Sequence, residues 1–132
     1  MFGGKFAVAY DYDRENVFAR ILRGEIPSNP VMETEHTLAF RDIRPQAPVH
    51  VLVIPKGPYV NFDHFGVEAS EAEIADFTRV VAKLCGELDV APGAGGGGYR
   101  LIANSGVAGV QEVPHMHVHI LGGRALGRML PG

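Results

Sequence analysis

The spacing of apolar residues changes several times along the chain, and each change predicts an element. Val17, Phe18, Ile21 and Leu22 recur at helical spacing behind Asp13 or Asn16, either of which can cap a first turn, and Gly24 followed by Pro27 ends the run. Two short β-rich stretches follow, Val31 to Thr34 and Thr37 to Asp42, around a polar Glu35-His36 pair that suits a hairpin turn. Pro45 and Pro48 interrupt before Val49 to Ile54, a third strand ended by Pro55. Ser70 and Glu73 have capping-box spacing, and behind them Ile74, Phe77, Val81, Leu84 and Leu88 fall on one stripe of a long helix. Tyr99 to Asn104 reads as a strand, as does the run from Pro114 to Leu121. The resulting order α-β-β-β-α-β-β favours an α+β fold with an antiparallel sheet over a doubly wound parallel one.

Between the long helix and the last strands, Gly93 to Gly98 holds five glycines in six residues. A phosphate-binding Walker loop would end in Gly-Lys-Ser/Thr and open a helix, whereas this segment leads into a strand, so it reads as a flexible connection. The 132 residues fit one domain, and the absence of an internal repeat leaves no boundary inside it. Residues 1–13 are expected to form a loosely ordered arm ahead of a domain spanning 14–132.

Composition narrows the chemistry. A net charge of -3 argues against broad capture of nucleic acid, while leaving room for a local pocket for one phosphate. The single Cys85 can form neither an internal disulfide nor a cysteine zinc site, and it lies beside the helical stripe as a buried thiol would. No run is long enough to span a membrane, and no signal-peptide core stands at the start, so the expected location is the cytoplasm.

The feature with the most chemistry is Pro114-His115-Met116-His117-Val118-His119-Ile120-Leu121. An extended chain places the three imidazoles on one face and Met116, Val118 and Ile120 on the other, toward the core. Three uses suit such a face: a zinc site, a nucleophile attacking phosphorus, or a general acid-base working near the imidazole range. Spacing alone does not choose between metal and nucleophile. His50 alternates against Val49, Val51 and Val53 and so can join the same face from a neighbouring strand. Ahead of the histidines, Gly106, Gly109, Gln111 and Glu112 form a loop whose backbone amides can approach an anion without a metal.

The run His115 to Leu121 resembles the His-φ-His-φ-His-φ-φ signature of the histidine triad superfamily, where φ is an apolar residue. Phe40-Arg41-Asp42-Ile43-Arg44-Pro45-Gln46-Ala47-Pro48-Val49-His50 is similar to its Hint branch. Val17 to Pro27 resembles the N-terminal helix and turn of that branch, while Gln111 to Pro114 and Leu121 to Gly127 resemble bacterial members. The likeness extends from Asn16 to Arg128.

This resemblance implies a homodimer with an antiparallel sheet of about five strands and two helices. It implies binding of a purine nucleoside monophosphate or phosphoramidate, hydrolysis of the phosphoramidate P–N bond, and no cofactor or bound metal. His117 would be the nucleophile. His119 would contact the phosphate, and His115 would hold the active imidazole with His50 behind it. Asp42 would take the ribose hydroxyls, which a carboxylate can accept together, while Phe18, Ile21, Ile43 and Leu52 would wall the base. Asn104, Gln111 and Glu112 would line the phosphate and leaving-group side. Val110 stands where the family usually has glycine, which bears on how closely the backbone approaches phosphate, and Glu112 stands where many eukaryotic relatives have serine. Competing functions are a dinucleoside polyphosphate hydrolase of the Fhit type using the same His117, and a non-catalytic nucleotide-binding scaffold.

Overall fold

A computed structural model describes residues 9–131, and within them five strands form one antiparallel sheet. Helix α1 (Val17–Leu22) precedes strands β1 (Pro30–Glu33), β2 (Thr37–Arg41) and β3 (Val49–Pro55); helices α2 (Phe62–Glu68) and α3 (Glu71–Glu87) follow; then come β4 (Tyr99–Ile102) and β5 (Val118–Gly122). The strand order is β1-β2-β3-β5-β4, so β5 inserts beside β3 and leaves β4 at an edge.

Local chemistry accounts for the helix ends. Asn16 caps α1 by accepting from the amide of Ala19. On α3, Ser70 accepts from the Glu73 amide while the Glu73 carboxylate accepts from the Ser70 amide, so both halves of the capping box form. The stripe predicted for this helix reaches the core through Phe77, Val81 and Leu84, joined by Val80 and Cys85.

Two findings depart from the pattern. Helix α2 has no sequence forecast, because seven residues give too little periodicity and Gly66 sits inside it; its cap, Asn61 accepting from the His64 amide, is its one local signal. The glycine-rich segment is a built turn rather than a flexible connection: Pro92–Ala94 form a 3₁₀ turn, and the amides of Gly96 and Gly98 donate to Ala91 and Val90. A Cβ at Gly96 would lie 2.5 Å from the Val90 carbonyl carbon, so glycine serves close backbone contact there.

The alternation of β3 divides the interior. Val51 and Val53 join Ala39, Val118 and Ile120 under α3, whereas Leu52 and Ile54 join Phe18, Leu38 and Phe40 in a smaller cluster under α1. Each such buried valine, leucine, isoleucine or phenylalanine contributes about 1.5–3 kcal/mol relative to an exposed one. His50 shares the second face. The sheet thus carries its main core on one side and its histidines on the other. No helix among the described residues is long and apolar enough to cross a membrane.

Candidate active site

Pairing of β3 with β5 sets Leu52 opposite His119 and His50 opposite Leu121. His50 and His119 are therefore diagonal neighbours on one face, and His50 Nε2 stands 3.0 Å from His119 Nδ1. Of the three histidines of the run, only His119 lies within β5; His115 and His117 belong to the segment leading into it. Period-two alternation nevertheless persists, since Met116, Val118 and Ile120 are buried in the main core.

Hydrogen bonds fix how each ring carries its proton. The Nδ1 of His117 lies 2.7 Å from the His115 carbonyl, which can only accept, so Nδ1 bears the hydrogen and Nε2 keeps its lone pair. Among the described residues no buried side-chain nitrogen or oxygen lacks a partner, and no protein group bonds His117 Nε2, so that atom is the accessible part of a ring only 7% exposed. For His50, the Gln46 amide donates to Nδ1 at 3.0 Å, which leaves the hydrogen on Nε2, directed at His119 Nδ1. His119 then carries its own hydrogen on Nε2, the nitrogen away from His50. The two rings whose centroids are 5.1 Å apart, His117 and His119, thus offer one lone pair and one N–H donor.

His115 is different in kind. It is fully buried, its Nε2 donates to the Pro55 carbonyl at 2.8 Å, and its Nδ1 stands 2.5 Å from the Tyr12 hydroxyl. Burial pushes the pKa of His115 down to about 4. His119 also falls to about 4, through burial first and then the neighbouring His117 and His50, with Asp42 opposing. Burial likewise lowers His117 and His50, against opposition from Asp42 at both. The histidine face is neutral.

Asp42 does two things at once. Its Oδ1 accepts from the Arg44 amide at 2.7 Å, holding the turn after β2, and its Oδ2 lies 3.4 Å from His50 Nε2. Ile43 beside it is 90% exposed, while Phe18 and Leu52 are buried in the small cluster with Ile21 packed against it. The Phe18 ring meets His117 edge to face, centroids 5.0 Å apart. Half-buried Asn104 follows β4 two residues after Ile102, the partner of His119.

In the loop from Ser105 to Glu112 the side chains divide. Gln111 is occupied internally: its Nε2 donates to the carbonyls of Val60 and Val113, and its Oε1 accepts from the Gly106 amide. It ties the loop down rather than extending its side chain toward a ligand. Glu112 is exposed and raises the pKa of His117 by its charge. Val110 adopts φ +56, a left-handed conformation that suits glycine and is uncommon for a β-branched residue. A Cβ at Gly109 would lie 2.5 Å from the Ser105 carbonyl oxygen.

Two positions differ from the expected roles. His50 stands behind His119 rather than behind His115, because the strand register makes that pair diagonal. Support for His115 comes instead from Tyr12, which no sequence spacing flags because 103 positions separate the two. Tyr12 falls in the stretch expected to be a loose arm, and Tyr10 also contacts the body of the protein; residues 1–8 lie outside the described part.

Asp42, His50 and His119 each offer a ligand atom within 4.8 Å of the others, which is compatible with a divalent cation. A cation there would take His119 Nδ1 or His50 Nε2 from the bond they make with each other.

The antiparallel sheet with histidines gathered where β3 meets β5 defines a recognisable class. The HIT domain model matches residues 23–126, and the chain belongs to the HIT domain family. It is 56% identical, over 93% of its own length and 98% of the other, to an uncharacterized 13.2 kDa HIT-like protein of Azospirillum brasilense. It is also 42% identical to a purine nucleoside phosphoramidase of Escherichia coli, over 88% of this chain and 93% of that one. Among solved structures, a HIT family hydrolase from Clostridium thermocellum superposes with a TM-score of 0.74 at 39% identity, covering 88% of this chain and 97% of the other.

Proposed function

We propose that this HIT-family protein is a nucleotide hydrolase that cleaves the P–N bond of purine nucleoside phosphoramidates. The observation that carries the reading is the proton arrangement of His117. Its Nδ1 donates to the His115 carbonyl, so an accessible, neutral Nε2 lone pair faces out next to a ring that presents an N–H. A lone pair held this way is a nucleophile ready at neutral pH without a prior proton loss.

In the first step His117 Nε2 attacks phosphorus and the P–N bond breaks. The nitrogen leaves as a neutral amine, taking its proton from solvent water, which regains one when water later resolves the intermediate, while the outward Nε2–H of neutral His119 donates a hydrogen bond to a phosphoryl oxygen. Water then attacks the nucleotidyl-histidine, restoring His117 and releasing the nucleoside monophosphate. Asp42 takes the ribose hydroxyls, and Phe18, Ile21, Ile43 and Leu52 flank the base. The phosphate and leaving-group side is lined by Asn104, Glu112 and the backbone around Val110 and Gln111.

The likeness to the phosphoramidase of E. coli supports this substrate class over dinucleoside polyphosphates. Adenosine 5′-phosphoromorpholidate and a diadenosine polyphosphate, offered in parallel, test it. The expected result is faster turnover of the phosphoramidate, loss of that turnover in His117→Ala, and nucleotide affinity in the variant within a few-fold of the parent. Preferential cleavage of the polyphosphate, or normal phosphoramidate turnover by His117→Ala, overturns the reading.

The same proposal includes pairing of two copies through β4. This edge strand exposes Tyr99 and Leu101, and the adjoining apolar groove of about 430 Å³ is lined by Phe62, Ile74, Thr78 and Ala82 on the helical side of the sheet. An unpaired edge beside an apolar face is a ready template for a second copy. Sedimentation equilibrium at twice the chain mass, reverting toward monomer in Leu101→Arg, is the expected outcome.

A further inference from the structure

Tyr12 and His115 form the longest-range polar contact that reaches the histidine run. The Pro55 carbonyl can only accept, so the hydrogen of His115 sits on Nε2 and its Nδ1 offers a lone pair. The Tyr12 phenol must then donate to that lone pair, across 2.5 Å. Burial keeps the phenol protonated by raising its pKa, and the same effect keeps the ring neutral, so donor and acceptor hold their roles throughout the neutral range.

The ring that Tyr12 holds belongs to the residue whose carbonyl orients His117. His115 is fixed at four points: Tyr12 at Nδ1, Pro55 at Nε2, the Val113 carbonyl at its main-chain amide, and the His117 ring at its main-chain oxygen. The segment carrying Tyr12 is itself anchored. The Tyr10 hydroxyl donates to Asp63 at 2.7 Å and accepts from Asn61 at 2.9 Å, and its ring packs 5.1 Å from that of His64, all at the start of α2.

We infer that Tyr12 is a positioning residue for the hydrolytic step: its hydroxyl fixes the plane and tautomer of His115, and thereby the carbonyl that aims His117 at phosphorus. This rests on reading His117 as the nucleophile. Without the hydroxyl, a buried Nδ1 has no donor, and the ring or its backbone must shift to find one. The role differs from simple packing because the phenol ring of Tyr12, edge-on to His115 at 5.6 Å, survives replacement by phenylalanine.

The test uses the full chain with Tyr12→Phe and Tyr10→Phe. For Tyr12→Phe the expected result is a fall in kcat of about ten-fold, with KM within two-fold, since one neutral hydrogen bond is lost and substrate contacts are not. In ¹⁵N-edited histidine spectra, the Nδ1 resonance of His115 moves from the hydrogen-bonded toward the free-acceptor position in Tyr12→Phe alone. Tyr10→Phe removes two hydrogen bonds of the arm but keeps its ring against His64, so Tyr12 stays seated and both readouts stay near the parent value. An unchanged kcat or an unchanged His115 resonance in folded Tyr12→Phe overturns the inference, and so does an equal loss in Tyr10→Phe. A parent protein with no phosphoramidate turnover overturns the proposed function instead, while the His115 resonance still reports whether Tyr12 holds the ring.

Discussion

The Nδ1 of His117 donates to the main-chain carbonyl of His115, not to its imidazole, so the two histidines communicate through backbone. Side-chain replacements at His115 therefore act on His117 only through the position of that carbonyl. Their first cost is packing: His115→Ala removes a fully buried ring and strands the Tyr12 hydroxyl and the Pro55 carbonyl. Urea denaturation is expected to show a loss of about 2–4 kcal/mol, with kcat reduced less than in His117→Ala.

Stability should fall as the solution is acidified through the histidine range. In the unfolded chain an imidazole titrates near 6.5, whereas buried His115 titrates at about 4, so between these values the unfolded state binds more protons. The contribution is complete above the unfolded value and is lost as pH drops toward the folded one, with a slope of up to about 1.4 kcal/mol per pH unit from this residue. Thermal melts between pH 7 and pH 4 check the sign. His115→Gln is expected to flatten the curve, and a parent protein equally stable at both ends would contradict the burial argument.

Val110→Gly separates backbone strain from side-chain contact. The valine is 70% exposed at φ +56, so glycine relieves about 1–2 kcal/mol of left-handed strain while adding about 0.5–1 kcal/mol of chain entropy in the unfolded state. A net gain of roughly 0.5–1 kcal/mol in unfolding free energy is expected. Destabilisation would mean that the isopropyl group holds the loop.

Gly109→Ala probes the same loop in the opposite sense. A methyl group 2.5 Å from the Ser105 carbonyl oxygen and 2.8 Å from its amide cannot be absorbed by a rotamer change, because both atoms are backbone. The loop must move, and if this backbone lines the phosphate as proposed, a displacement near 1 Å costs about a hundred-fold in turnover. Steady-state kinetics with the phosphoramidate, alongside a melt showing the fold intact, reads this out.

Asp42→Asn divides the two tasks of that side chain. An amide oxygen can still accept from the Arg44 amide, so the turn after β2 survives, but the charge facing His50 is gone. Affinity for a nucleoside monophosphate should weaken by roughly ten-fold, and the loss should be much smaller for inorganic phosphate, which has no ribose. Equal losses for both ligands would remove Asp42 from the ribose role.

Much of this arrangement is legible in the sequence. The capping box at Ser70 and Glu73, the hairpin at Glu35 and His36, and the faces of Val51 against His50 all follow from rules that act within a few residues. What escaped was non-local or short. Tyr12 has no neighbour in sequence that announces His115, and α2 is too brief, with Gly66 inside it, to print a period. The glycine-rich segment differs from its expectation because composition reports freedom of backbone, whereas Gly96 serves close contact with Val90. The pairing of His50 with His119 follows only once β5 is known to lie beside β3.

Strand β3 sends Val51 and Val53 into the main core and His50 and Leu52 to the histidine side, so a single strand serves both. Slipping its register by one residue would exchange the two sets, burying His50 under α3 and exposing the valines. Local unfolding that spares the core therefore cannot dismantle the His50–His119 pair. Amides of β3 and β5 should exchange with solvent only through global opening, at the rate of the slowest core protons. The His50–His119 pair, set on two interior strands of the sheet, should persist until the whole domain melts.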